Sequence, residues 1–151
     1  MKINSIKIDL QNDGNIPNIP SIELFESWVS HALQSDFSQL EQTIRVVEKS
    51  ESQLLNKTWR GKDKPTNVLS FPAEDSDYLD YDHLGDLIIC ADVVEVEALQ
   101  QNKNPISHWA HMVVHGMLHL QGFDHVTDSE AEQMESKEID ILATLGHTNP
   151  Y

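Results

Sequence analysis

HGMLHLQGFDH, residues 115–125, sets three histidines at relative positions 0, 4 and 10 with a glycine at position 7. A helix brings residues four apart onto one face, so His115 and His119 can point their imidazoles at a single metal ion. Gly122 can then end the helix, because glycine tolerates the left-handed backbone that reverses a chain after its last helical turn. His125 returns from that turn as a third ligand. Three protein nitrogens leave one tetrahedral position open, which is the pattern of catalytic rather than structural zinc. The stretch therefore predicts a helix, a tight loop and a metal ion between them, and the remaining elements have to pack around that unit.

His108 and His111 lie upstream on the same helix. Ligand nitrogens on a tetrahedral zinc ion sit roughly 3 to 3.5 Å apart, whereas His111 and His119 differ by about 12 Å along a helix axis. Only one adjacent pair can bind, and His115 with His119 is the pair that Gly122 and His125 complete. His108 and His111 are expected in structural or supporting roles. Neutral imidazoles suit several transition metals. Zinc, one ion per chain, is the default, since the one cysteine, Cys90, lies outside the motif.

Outward from the motif, the pattern alternates. Ile6, Ile8 and Leu10 read as a strand, and Asn12-Asp13-Gly14 with Pro17 and Pro20 as a turn-rich connection. Ser21 caps a helix whose stripe is Ile22, Phe25, Trp28 or Val29, and Ala32 or Leu33. Ile44 and Val46 mark a second strand, and Ser50 opens a short helix with Leu54 and Leu55. Val68–Phe71 and Leu84–Cys90 read as two further strands. Between them, Glu74, Asp75, Asp77, Asp80 and Asp82 suggest a mobile, solvated connection, with a metal site built from some of them as the alternative. Asp92 caps the next helix, Asn104-Pro105 or Ser107 begins the histidine helix, and Ser129-Glu130-Ala131-Glu132 forms a capping box for a last helix that Gly146 stops. The expected architecture is α+β: one domain over residues 1–151, with a small mixed four-stranded sheet, helices packed on it, and the zinc site in a cleft beside it.

One cysteine in 151 residues forms no internal disulfide, so nothing points to an oxidising compartment. The amino-terminal residues lack the apolar stretch of a signal peptide. The longest apolar run, Leu87–Ala91, is far below the ~20 residues of a membrane helix, so no membrane partner is expected. The formal charge of −15 argues against a polyanionic partner, but four of the ten Lys and Arg residues lie within KTWRGKDK, residues 57–64. A solvated loop is the ordinary reading of such a cluster. Its concentration in so acidic a chain favours an anion-binding loop, with Arg60, Lys62 and Lys64 as candidate substrate contacts.

The offsets HxxxHxxGxxH also occur in metzincin peptidases, whose first histidine is followed by a glutamate that serves as general base. Here that position is Gly116, and without the proton shuttle ordinary peptide hydrolysis is disfavoured. Phosphodiester cleavage asks for a metal to polarise the phosphoryl oxygen and acidify water, and for a cation to steady the transition state. Arg60 or a neighbouring lysine can be that cation. Trp59 or Phe71 offers a ring on which a base can stack, although a tryptophan is more often core. Asp124 either orients a metal ligand or caps a turn, and Asp86 is either a site residue or a turn residue after Gly85.

The stretch AHMVVHGMLHLQGFDH, residues 110–125, closely resembles the signature of the YbeY family of bacterial endoribonucleases. NKTWRGKDKPTNVLSFP, residues 56–72, is similar to the family's arginine segment, and Leu84-Gly85-Asp86 to its LGD motif. The resemblance implies a cytoplasmic, metal-dependent endoribonuclease specific for single-stranded RNA. It would act in 3′-end maturation of small-subunit ribosomal RNA and in ribosome quality control, with ribosomal-protein and assembly-GTPase partners. By position it makes His115, His119 and His125 the zinc ligands and Arg60 the functional, catalytic arginine. It assigns no catalytic role to Asn67, where some members have Asp. Two other classes stay open: a non-catalytic ribosome-assembly module whose zinc pins the fold, and a metal-dependent hydrolase of another substrate such as a peptide or amide.

Overall fold

A computed structural model describes residues 3–73 and 82–151 of the chain. The elements run β1 (Ile3–Gln11), α1 (Ile22–Ala32), β2 (Phe37–Val47), α2 (Lys49–Arg60), β3 (Val68–Pro72), β4 (Asp82–Cys90), α3 (Ala91–Gln100), α4 (Pro105–Leu120) and α5 (Asp128–Thr144). This is the expected order. The strands form one sheet in the order β1-β2-β4-β3, with β1, β2 and β4 parallel and β3 antiparallel on the edge beside β4. The protein is thus α+β with a mixed four-stranded sheet. Of the five carboxylates between β3 and β4, Glu74, Asp75, Asp77 and Asp80 lie outside the described residues, and Asp82 is exposed at the start of β4.

Side chains alternate across a strand, so the sheet feeds two cores. On one face Leu40, Ile44, Leu87 and Ile89 pack with Phe25, Trp28 and Val29 of α1 and Trp109, Val113 and Met117 of α4. On the other, Val47, Leu69, Ile88 and Cys90 form a smaller cluster with Leu55 of α2 and Val93 of α3. Phe25 meets Trp28 and Trp109 edge to face, with ring centroids 5.6 and 6.1 Å away, which ties α1 to α4. Each such buried side chain contributes about 1.5–3 kcal/mol. Helix α4 touches α1, α3, α5, β3 and β4, and is the central post of the molecule.

Ser21 does cap α1, accepting from the Leu24 amide, but Ile22 of the expected stripe remains 39% exposed. Asn104 rather than Ser107 caps α4, with Pro105 in its first turn. Three other helix starts differ from the sequence reading. Helices α2 and α3 follow their strands almost without a loop, so Glu48 and Cys90 occupy the cap positions without side-chain capping bonds, and neither Ser50 nor Asp92 serves there. Asp92 instead lies in the first turn of α3, where its charge favours the helix amino terminus. The capping box of α5 is Thr127 with Glu130, two residues earlier than expected.

Leu84-Gly85-Asp86 forms no turn. It lies inside β4, where Gly85 pairs with Pro72 and Asp86 with Phe71. Gly85 has φ +136°, and a Cβ there would come within 2.2 Å of the Phe71 carbonyl oxygen, so only glycine fits. The buried Gln42 amide donates to the Gly85 carbonyl at 2.8 Å, fixing β4 against β2.

Candidate metal centre

Helix α4 presents His115 and His119 one turn apart. The helix ends at Leu120, and Gly122, with φ +99°, turns the chain so that its amide bonds back to the His119 carbonyl at 3.0 Å. His125 is thereby brought against the other two. The ring centroids lie 4.7 Å apart for His115 and His119, 5.0 Å for His119 and His125, and 5.6 Å for His115 and His125. One nitrogen from each lies within 4.8 Å of the others, so the trio could hold a metal ion. Burial, and then the proximity of His115 and His125, lower the His119 pKa and so favour the neutral imidazole that a metal ligand requires.

Behind His115 stands Glu138 of α5, fully buried. Its Oε1 accepts from His115 Nδ1, while Oε2 accepts from Tyr151 Oη and, at 3.1 Å, from His111 Nε2. Burial by itself would raise the Glu138 carboxyl, but hydrogen bonds from His111, His115 and Tyr151 outweigh it and pull the pKa down to about 2. Burial and the Glu138 contact push the Tyr151 phenol up, so it stays a donor. With His115 Nδ1 engaged on the carboxylate, Nε2 is the nitrogen left for a metal, the arrangement that commonly fixes the orientation of a ligating histidine. His111, His115 and Glu138 also lie close enough to one another to hold an ion. The Glu138 oxygens there are already occupied by three donors, which favours the three-histidine set.

The sequence reading did not include Glu138 or Tyr151. Glu138 lies 23 residues from His115 and Tyr151 another 13 further on, and the docking of α5 on α4, with the residues after α5 returning to His111, unites them. The one available signal was an acidic side chain on the apolar face of the last helix, between Met134 and Leu142. His108 and His111 are both buried. His108 Nε2 bonds to Glu97 at 2.9 Å, and Glu97 in turn accepts from the Asn67 amide at 3.0 Å. Asn67 Oδ1 accepts from the Val68 amide, so this residue secures the start of β3 to α3. Asp124 Oδ1 accepts from the His125 amide at 2.8 Å, a local turn contact.

The three histidines line a cleft of about 670 Å³ whose other wall carries Trp59, Arg60, Asn67, Ser70 and Phe71. The structure brings Arg60 to this cleft from the last turn of α2. Lys62 and Lys64 are exposed on the following loop and do not line it. Two buried polar residues of α2 hold that loop: Ser52 exchanges hydrogen bonds with the Thr66 backbone, and the Asn56 amide donates to the Lys64 carbonyl at 2.8 Å. Asp86 is not part of the cleft wall.

Gly116, next to His115 on α4, lies against the sheet. A Cβ there would approach Leu87 Cδ2 to 2.6 Å and Ser70 Oγ to 3.3 Å. The position that carries the peptidase glutamate is therefore filled here by the contact between helix and strand.

Fold and site together define an α+β protein with a candidate open metal centre facing a cation across one cleft. The chain belongs to the YbeY family: the family model, described as endoribonuclease YbeY, matches residues 8–146. Among solved structures, the solution structure of TM1509 from Thermotoga maritima matches with a TM-score of 0.54 and 24% identity, covering 93% of this chain and 91% of that one, a likeness of fold.

Proposed function

We propose that this chain is a zinc-dependent endoribonuclease that cuts single-stranded RNA, acting in 3′-end maturation of small-subunit ribosomal RNA and in ribosome quality control. The observation that carries the proposal is the cleft shared by Arg60 and the three histidines, read together with the endoribonuclease family to which the chain belongs. No helix among the described residues is long and apolar enough to cross a membrane. Cytoplasmic location and partners among ribosomal proteins and an assembly GTPase are part of the same reading.

His115, His119 and His125 would hold the zinc ion, and their all-nitrogen donor set suits it. Bound there, zinc supplies Lewis acidity toward a phosphodiester and lowers the pKa of water. Glu138 fixes the His115 tautomer. Arg60 grips the scissile phosphate, since its planar guanidinium can donate two parallel hydrogen bonds to phosphate oxygens and balance charge that develops there. Lys62 and Lys64, outside the cleft wall, meet flanking phosphates of the same strand. Single-stranded RNA is favoured because a flexible backbone can bend toward recessed ligands.

The test is cleavage of single-stranded RNA by independently prepared wild type, His115→Ala and Arg60→Ala proteins. Chelation or His115→Ala abolishes cleavage, and Arg60→Ala lowers the rate about 100-fold or more, as for loss of one transition-state donor. Metal-loaded wild type that bound such RNA and left it intact would favour the non-catalytic assembly module instead.

A further inference from the structure

The chain has three tryptophans, and their exposure divides sharply. Trp28 and Trp109 are 2% and 1% exposed in the main core, whereas Trp59 is 67% exposed. Its position on α2 explains why. Leu55, one turn earlier on the same helical face, packs on the smaller sheet cluster. Trp59 continues that apolar face past the cluster and over the cleft, where Phe71 meets it edge to face with centroids 6.0 Å apart. A large aromatic ring thus meets the edge of Phe71 and is left mainly in water, next in sequence to Arg60 and in the same cleft wall.

We propose that Trp59, backed by Phe71, is a nucleobase-stacking subsite that takes the base next to the phosphate held by Arg60. The inference rests on the RNA reading above and adds a residue with a separate role. Charge identifies the occupant. The ring sits within residues 57–64, the cationic stretch of a chain of charge −15, so a ligand reaching it passes phosphate-binding groups. An anionic polymer with flat apolar faces matches both features. The cleft volume of about 670 Å³ falls within the roughly 300–1,000 Å³ of sites for small ligands. Asn67 and Ser70 nearby are engaged within the protein, Asn67 with Glu97 and Val68, Ser70 with the Gly116 carbonyl. The subsite therefore grips the face of a base rather than reading its edge, and tolerates any base.

Two single-stranded probes of equal length test this on metal-loaded protein: an oligoribonucleotide with every 2′-hydroxyl methylated, and its fully abasic counterpart. Wild type binds the base-bearing probe about 5- to 150-fold more tightly, the range expected for one stacked base, and that probe protects Trp59 from acrylamide quenching. Trp59→Ala reduces the preference to near unity while zinc content and abasic binding stay as in wild type. Trp59→Tyr, which keeps an aromatic face, retains most of the preference. An unchanged preference in Trp59→Ala, or unprotected Trp59 emission at probe saturation, overturns the subsite and leaves the RNA reading standing. Failure of wild type to bind either probe overturns both. Loss of a ribosomal-protein contact in Trp59→Ala with the base preference intact also overturns the subsite, making the ring a protein contact.

Discussion

At the scale of single residues, the histidine trio was legible because it is local: two positions four apart, a glycine and a short return fix its geometry within eleven residues. Its support was not, because Glu138 reaches His115 only through the packing of α5 on α4. Trp59 also escaped its ordinary assignment to the core, since only the sheet's extent reveals that α2 runs past it. Glu138 makes a strong test of the site. Removing the charge but keeping the shape, Glu138→Gln turns one acceptor oxygen into an amide donor that must face His115 Nδ1–H or the Tyr151 and His111 donors. Zinc affinity is expected to fall about 10- to 100-fold, the usual effect of losing such an outer partner. Competition with a chromogenic chelator measures it, and far-UV circular dichroism checks that the variant is folded. Unaltered affinity would remove Glu138 from the metal site.

Among the elements, helix and strand order could be read from periodicity, whereas the starts of α2, α3 and α5 could not. Ser50 and Asp92 are good capping residues in themselves, yet β2 and β4 run so directly into α2 and α3 that the backbone turns before they are reached. β2 is 11 residues long, and Gln42 and other polar residues in it hide most of its alternation. The contact between α4 and β4 is the element-scale feature that bears on chemistry. Alanine at 116 gains about 0.8–1 kcal/mol of helix propensity over glycine, but its methyl group meets Leu87, itself fully buried. Overpacking costs about 1–3 kcal/mol, so Gly116→Ala is expected to be destabilising by about 1 kcal/mol in urea unfolding. With Leu87→Val to make room, the same substitution becomes neutral or stabilising, a coupling of at least about 1 kcal/mol. Additivity in that double-mutant cycle would mean that helix and strand are not in the close contact that shuts out a glutamate at this position.

For the whole molecule, the sequence disclosed an acidic chain with one basic island but not where the island faces. That depends on topology: β3 forms the sheet edge next to β4, and the last turn of α2, just before the loop to β3, carries Trp59 and Arg60 to the cleft of the histidines. The number of free cations there bounds the electrostatics of RNA binding. Of the four in residues 57–64, Lys57 has Asp63 at 3.9 Å, and among the described residues Arg60, Lys62 and Lys64 have no such carboxylate and are left to neutralise phosphates. A single strand contributes a slope of about −0.7 in log affinity against log salt for each phosphate neutralised, so the slope should be about −2, shallow for a nucleic-acid enzyme. Arg60→Ala should make it less negative by about 0.7, and Lys7→Ala, on β1 at the opposite edge of the sheet, should leave it unchanged. Fluorescence anisotropy titrations of the 2′-methylated probe between about 50 and 200 mM salt give the slopes. A slope much steeper than −2 would require cations beyond the basic loop. A slope unaffected by Arg60→Ala would mean that the guanidinium in the cleft meets no phosphate, and the catalytic role proposed for it would fall with that contact.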